Sequence, residues 1–259
     1  MRYLIVMLLM LSSLYAGKYS VKTYIPDRAK ELAPTIVEET FNVIPEYNHP
    51  YYFQALIEHE SCVQLHGTGY WARRCYSPIS ELKTKREQGI GFFQLTRTFR
   101  KDGRVRWDII ATLRKRHAKE LHELNWNNVK ERPDLQIKAG LLLWRDNWRK
   151  LASTIPKDER VYFADSIYNG GGWVYKERKI CKLRKGCDPD KWFGNVEMIK
   201  DVRGKKKLYG NRTAWDINRH HVKDVTKTRL PKYKKYDTSN IKYCVDKNGS
   251  REMVYEFKK

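Results

Sequence analysis

Apolar residues return at helical spacing in several separate stretches of this 259-residue chain, and that periodicity limits the fold more than any other feature. After Pro50, the residues Phe53, Leu56, Ile57 and Glu60 recur at i, i+3, i+4 and i+7, so one helix face is an apolar stripe ending in a carboxylate. Asn48-His49-Pro50 offers a cap followed by proline at the first helical position. A second helix is expected after Asp108, with Ile110, Leu113, His117, Leu121 and Leu124 on its buried side. A third starts near Pro133 and carries Leu135, Ala139, Leu142, Leu143, Trp144 and Trp148. A fourth begins near Asp158, packs Val161, Phe163 and Ile167, and stops at Gly170-Gly171-Gly172. Asp190 to Lys200 and Thr213 to Thr228 read as two more helices, and residues 62–90 as an irregular excursion rich in Gly, Pro, Ser and Arg. Near the C-terminus, Ile241 to Val245 and Met253 to Phe257 flank Lys247-Asn248-Gly249-Ser250, a hairpin signal. The expected fold is mainly α with a short β-hairpin near the C-terminus, and no internal repeat is evident.

A 41% hydrophobic and 13% aromatic content is enough for a core and excludes wholesale disorder. Fifty-two Lys and Arg against thirty Asp and Glu leave a formal +22, which points to a polyanionic partner: nucleic acid, an anionic membrane or cell-wall polymer. Residues 174–259 hold 25 of the basic and 11 of the acidic residues. Within them, Arg203-Gly204-Lys205-Lys206-Lys207 and Lys232-Tyr233-Lys234-Lys235 are expected to serve adsorption, plain solvated surface being the alternative. No Walker, zinc-finger or helix-turn-helix pattern is present, which argues against nucleic acid.

Arg2, the apolar run Tyr3 to Leu11 and the small residues from Ser12 to Ala16 have the layout of a secretory signal peptide. Residues 1–16 are therefore expected to direct export to the periplasm or beyond, a retained signal anchor being the alternative. Five cysteines agree with an oxidising compartment. Cys62 with Cys75 and Cys181 with Cys187 are expected as local disulfides, against the alternative of five free thiols; Cys244 is left over. Their spacing fits no common zinc pattern, and neither a metal nor a cofactor is expected.

Three short segments carry the chemistry. Ala55-Leu56-Ile57-Glu58-His59-Glu60-Ser61 ends a helix; Gly89-Ile90-Gly91-Phe92-Phe93-Gln94-Leu95-Thr96 is a Gly-rich turn; Ala164-Asp165-Ser166-Ile167-Tyr168-Asn169-Gly170-Gly171-Gly172 ends another helix. Glycoside cleavage needs a carboxylic acid still protonated near neutral pH, and the apolar face leading to Glu60 could supply the desolvation that keeps it so. Gly91 would let backbone approach a sugar ring, and Gln94 could hydrogen-bond its substituents. Tyr168 could stack on a sugar or orient the carboxyl, and Asn169 could bind an N-acetyl group. Glu58, two residues from Glu60, points elsewhere on a helix and is expected to be structural or solvated. His117 and His221 read as core or edge histidines rather than ligands. Tyr70, Trp71 and Trp173 are candidates to line a glycan groove, with core packing as the alternative.

In order and spacing these segments resemble the soluble lytic transglycosylases and goose-type lysozymes, whose pattern is Glu-Ser at a helix end, then Gly-Leu-Met-Gln, then Ala-Tyr-Asn-Ala-Gly. Glu60-Ser61 fits fully. Gly91 and Gln94 fit around Phe92-Phe93, and Tyr168-Asn169 fits with Ile167 before and Gly170 after. The resemblance is closer still to a phage-associated branch, through Cys62, Ser80 to Glu87, Gly186-Cys187-Asp188-Pro189, Trp192-Phe193-Gly194 and Arg229-Leu230-Pro231-Lys232-Tyr233. It implies a lysozyme-like fold with one domain over residues 17–236 and the hairpin tail, 237–259, as an addition. It implies Glu60 as catalytic acid/base and Ser61, Gly91, Gln94, Tyr168 and Asn169 as substrate-binding residues. Peptidoglycan glycan strands would be the substrate and anionic envelope polymers a further partner, with membrane contact during export and a role in phage lysis or wall penetration. Hydrolytic members hold a water with further carboxylates; Lys85 and Thr96 stand where these would be, which favours the transglycosylase, and Glu87 is the one possible second carboxylate. A non-catalytic wall-binding protein is the other alternative.

Overall fold

The structure is a computed structural model that describes residues 22, 24–47, 49–62, 75–200, 204, 207–209, 211–234, 241–245 and 251–255; of the last two stretches only the backbone is described. The segment read as a signal peptide, the aromatic residues Tyr70 and Trp71, and most of the 203–207 basic cluster lie outside these residues. No helix among the described residues is long and apolar enough to cross a membrane.

The molecule is mostly helical with a small antiparallel sheet. Helix α1 (Asp27–Val43) buries Ala29, Ala33, Ile36, Val37, Thr40 and Val43 along one face. Helix α2 (Tyr51–Ser61) buries almost its whole length, from Tyr52 to Glu58 and again at Ser61. Pro50 stands at its cap position, one residue earlier than its sequence suggested, and makes no side-chain cap.

Strands β1 (Glu81–Lys83), β2 (Glu87–Ile90), β3 (Leu95–Phe99) and β4 (Val105–Asp108) form one antiparallel sheet in sequence order. This corrects the expectation of irregular structure up to residue 90. Glu87 pairs with Thr98 and Ile90 with Leu95, so the Gly-rich turn is the connection that closes the β2–β3 hairpin. The strands are short and do not alternate cleanly between buried and exposed residues, which hides them from period-2 reading.

Asp108 caps helix α3 (Ile109–Arg116) by accepting from the Ala111 N–H, and the chain breaks at His117 before the single turn α4 (Ala118–Leu121). Helices α5 (Pro133–Arg149) and α6 (Lys157–Gly170) follow where the periodicity placed them. Helix α7 (Trp173–Lys182) was not anticipated. The helix expected from Asp190 to Lys200 is absent: only a 3-10 turn, Val196–Met198, forms there. Gly194 at φ +72° takes a left-handed conformation that an α-helix cannot continue through.

A two-stranded ribbon, β5 (Lys207–Tyr209) with β6 (Arg212–Thr213), leads into helix α8 (Ala214–Lys223). A capping box between Thr213 and Asp216 starts that helix. It continues through a π-helical turn, Asp224–Arg229, into α9 (Leu230–Tyr233). The tail forms the expected hairpin of β7 (Ile241–Val245) and β8 (Arg251–Tyr255); its turn residues lie outside the described ones. Both local disulfides, Cys62–Cys75 and Cys181–Cys187, are formed.

The core is continuous. Trp144, Tyr52, Phe53, Ile36 and Ile44 are fully buried where α1, α2 and α5 meet, and Tyr47 packs against Tyr52, Phe53, Trp144 and Trp148. Helix α6 packs between α5 and α8, and the π-helical turn lies along α2. The C-terminal third therefore leans on the helix that carries Glu60.

Candidate active site

Glu60 occupies the last turn of α2, with 15% of its side chain exposed. Its Oε1 lies 2.7 Å from Nε2 of His221 on α8, whose side chain is only 2% exposed. The other ring nitrogen, Nδ1, lies 3.2 Å from Oδ2 of the fully buried Asp165 on α6. Asp165 also accepts a short hydrogen bond from the Tyr52 hydroxyl, which accepts from the Trp144 indole N–H at 3.2 Å. A polar chain thus runs from the aromatic core to one partly open carboxylate.

The charge on His221 follows from this arrangement. Burial disfavours the imidazolium, but the charges and hydrogen bonds of Asp165 and Glu60 outweigh it and push its pKa up to about 10. Neighbouring His59 is tilted the other way. Its ring centroid is 4.4 Å from that of His221; burial and the charge of His221 lower its pKa despite a 2.6 Å hydrogen bond to Asp224. Burial also opposes ionisation of Asp224, yet the hydrogen bond from His59 and the charge of Arg229 hold its carboxyl well below the ordinary range.

The helix end is pinned from the other side. Ser61 is fully buried: its Oγ donates to the Ile57 carbonyl at 2.6 Å and accepts from the Tyr76 N–H at 2.9 Å. Ser80 Oγ donates to the Ser61 carbonyl at 2.9 Å, and Cys62 is tied to Cys75. Ser61, expected at the substrate, is instead a buried fixture of the helix end.

The Gly-rich turn is shaped by packing. Gly91 has φ +80°, and a Cβ there would overlap the Gln136 side chain, which accepts from the Phe92 N–H at 3.1 Å. Buried as it is, Gly91 answers first to Gln136, not to an approaching sugar. Gln94 holds a left-handed φ of +45°, donates from Nε2 to the Gly91 carbonyl at 3.1 Å and leaves its buried Oε1 without a hydrogen-bond partner. Such a conformation is uncommon outside glycine and persists only where the surrounding structure holds it.

Tyr168 links the turn to the site. Its hydroxyl donates to the Phe93 carbonyl and its ring lies parallel to His221 at 6.3 Å. Burial, then the charges of Glu60 and Asp165, push its pKa well above the ordinary tyrosine value, so it remains a donor. Its hydroxyl thus serves the turn and does not bond Glu60. Asn169 is exposed and accepts from Asn218 Nδ2 at 3.3 Å, while Asn218 also donates to the Ser166 carbonyl at 2.9 Å. Trp173 is half-buried with the Lys176 ammonium 4.6 Å from its ring. Glu87, on β2, is half-buried, with its backbone carbonyl accepting from the Thr84 N–H at 2.8 Å.

Sequence reasoning missed His221 and Asp165 as members of the site and misjudged Lys232. That lysine and Tyr233 are buried against Glu58, so they cannot serve adsorption: Nζ lies 2.7 Å from Glu58 Oε1. Arg229 reaches the same oxygen at 2.6 Å and the Tyr233 hydroxyl donates to Oε2. One signal for the missed pair was present: Asp165 sits on an apolar helix face, where a buried carboxylate requires a partner. No group of residues suited to hold a metal occurs among the described residues.

No protein-family model matches the chain. It is 30% identical to the membrane-bound lytic murein transglycosylase F of Yersinia pestis over 122 residues, 46% of this chain and 24% of that protein. The protein of the same name from Yersinia enterocolitica matches to the same extent. That of Serratia proteamaculans is 32% identical over 82 residues, 31% of this chain and 16% of the other. The chain is thus related over under half its length to lytic murein transglycosylases, and spans about a quarter of the relatives it matches.

Proposed function

We propose that this protein is a peptidoglycan lytic transglycosylase of lysozyme-like fold, exported from the cytoplasm, with Glu60 as its catalytic acid/base. The observation that carries the reading is the placement of Glu60: a partly exposed carboxylate at the end of a buried helix, fixed on one side by Ser61 and the disulfide and on the other by His221. Similarity to proteins named lytic murein transglycosylase supports it.

The bond cut is the β-1,4 link between MurNAc and GlcNAc. Glu60 gives a proton to the departing oxygen as the C1–O4 bond breaks. The N-acetyl group of the muramic acid assists. The 6-hydroxyl then attacks C1, its proton passes to Glu60, and a 1,6-anhydro end is left. Asn169, through its exposure, and the half-buried Gln94 are the side chains from the motifs placed to meet a glycan; the buried, unpartnered Oε1 of Gln94 would first have to turn outward. The basic surface would hold the enzyme on anionic envelope polymer, and the reaction suits phage-driven lysis or wall penetration.

The test is mass spectrometry of the products from purified peptidoglycan, for the protein and for Glu60→Gln. Anhydro-ended muropeptides that disappear in the variant are the expected result. Reducing ends that disappear instead would mean a hydrolase. Cleavage that survives in the variant, or none by either protein, would overturn the assignment.

A further inference from the structure

His221 has a carboxylate oxygen against each ring nitrogen: Glu60 Oε1 at 2.7 Å from Nε2 and Asp165 Oδ2 at 3.2 Å from Nδ1. A neutral imidazole has one donor and one acceptor nitrogen and cannot donate to both. A ring that donates to both is an imidazolium, and Glu60 Oε1 can accept from Nε2 whether or not the other carboxyl oxygen, Oε2, carries a proton. Moving one proton by less than a bond length across the Nε2–Oε1 contact discharges the ring.

The remaining neighbours bias this proton without competing for it. From α2, His59 meets the ring edge-on and is itself bonded to Asp224. From α6, Asp165 is anchored by Tyr52, and Tyr168 lies parallel to the ring with its hydroxyl committed to Phe93. From its own segment, burial lowers the pKa of His220, and Asp224 is bonded to His59 and Arg229. Of the two carboxylates bonded to the ring, Asp165 is fully buried and Glu60 is the one with an exposed edge.

We propose that His221, seated on Asp165, is a positioning residue that keeps Glu60 supplied with its proton, the carboxyl acting as a two-oxygen shuttle. This rests on the reading of Glu60 as the acid/base. In the first half, Glu60 Oε2 gives its proton to the glycosidic oxygen as C1–O4 breaks, while Nε2 of the imidazolium passes its proton to Oε1. Glu60 stays neutral and His221 becomes a neutral ring still donating from Nδ1 to Asp165. In the second half, the 6-hydroxyl bonds to C1 and its proton goes to Oε2, while the Oε1 proton returns to Nε2. The cycle closes with no proton gained or lost. Among the effects that raise the pKa of His221 against its burial, the charge and hydrogen bond of Asp165 come first, in agreement with a ring that rests charged beside a protonated Glu60.

The experiment compares wild type, His221→Gln, Asp165→Asn and Glu60→Gln on purified peptidoglycan, reading kcat, KM, their pH dependence and a proton inventory in mixed H2O and D2O. Gln can still donate a hydrogen bond to Glu60 but cannot exchange a proton. In His221→Gln, kcat should fall about 10²-fold with KM little changed. Its alkaline limb should move to higher pH, because a cation beside the carboxyl has been removed. The inventory should change from bowed to linear. Histidine 15N spectra of the wild type, assigned by subtraction of the His221→Gln spectrum or, should that variant not fold, of Asp165→Asn, should show both His221 nitrogens protonated at pH 7. A neutral His221 at pH 7, or a His221→Gln enzyme with unchanged kcat, limb and inventory, overturns the proposal while leaving Glu60 intact. Activity that survives in Glu60→Gln overturns the acid/base reading itself.

Discussion

Glu58 and Glu60 stand two residues apart on one helix, and their surroundings have made opposite use of the same functional group. Glu58 is fully buried, closed in by Arg229, Lys232 and Tyr233 from the C-terminal segment. The Tyr233 hydroxyl accepts in turn from Tyr76 at 3.1 Å. Every oxygen there is engaged by a donor that cannot leave. Glu60 keeps one edge open and is held by a histidine that can change its protonation. The same C-terminal segment supplies both sets of partners, one from the π-helical turn and α9, the other from α8. A carboxylate surrounded by fixed cations fastens two parts of the chain together; one paired with a titratable ring and left partly wet is fit for proton transfer.

That contrast can be broken most forcefully at Glu58. Replacing it with Ala leaves two buried cations without their carboxylate and should cost about 3–5 kcal/mol of stability, read as a lower urea midpoint at unchanged slope. Glu60→Gln should shift stability by less than about 1 kcal/mol while removing activity, since a partly exposed group is cheaply replaced by its amide. An equal stability loss for both would erase the distinction.

The pH dependence of stability sharpens the contrast. The pKa of His221 is raised above its ordinary 6.5 to about 10, so its contribution is complete below 6.5 and is lost as pH rises through about 10. The stability difference between wild type and His221→Gln should therefore narrow across that window, measured by urea titrations at a series of pH values. A difference independent of pH would mean that the ring is neutral throughout. A smaller effect is expected at the second disulfide. Opening the short Cys181–Cys187 loop by a double Ser substitution should cost about 2 kcal/mol by chain entropy, with activity per folded molecule retained. The smallest change belongs to Glu87→Gln, which should leave anhydro products and alter kcat by less than about threefold, because replacing a half-buried side chain that does no chemistry is usually tolerated. A switch in product or a large loss would make Glu87 a second catalytic carboxylate.

What could be read before the structure follows physical range. Helices α2, α5 and α6 announce themselves because burial repeats within a few residues, and Asp108 announces α3 because its cap bond reaches only Ala111. The sheet from Glu81 to Asp108 did not, because its strands are held by cross-strand hydrogen bonds and not by a repeating apolar face. The false helix at Asp190 to Lys200 failed on Gly194, whose left-handed backbone outweighs the propensities around it. Lys232 looked like one more surface cation in a basic run until its partner, Glu58, was placed beside it.

By itself the sequence indicated helices α2, α5 and α6, the two local disulfides, the hairpin tail and the place of Glu60 at the end of an apolar helix face, all of them interactions between near neighbours in the chain, while α1 and α7 were not among its helices. Only the tertiary structure decided what Glu60 touches. His221 lies 161 residues from Glu60 and 56 residues from Asp165, which stands between them in the chain, and no local pattern encodes either contact. A buried carboxylate and a buried imidazole are costly apart and stable together, so their pairing, and with it the partner of the half-buried Glu60, is set by which helices pack against one another and not by spacing along the chain.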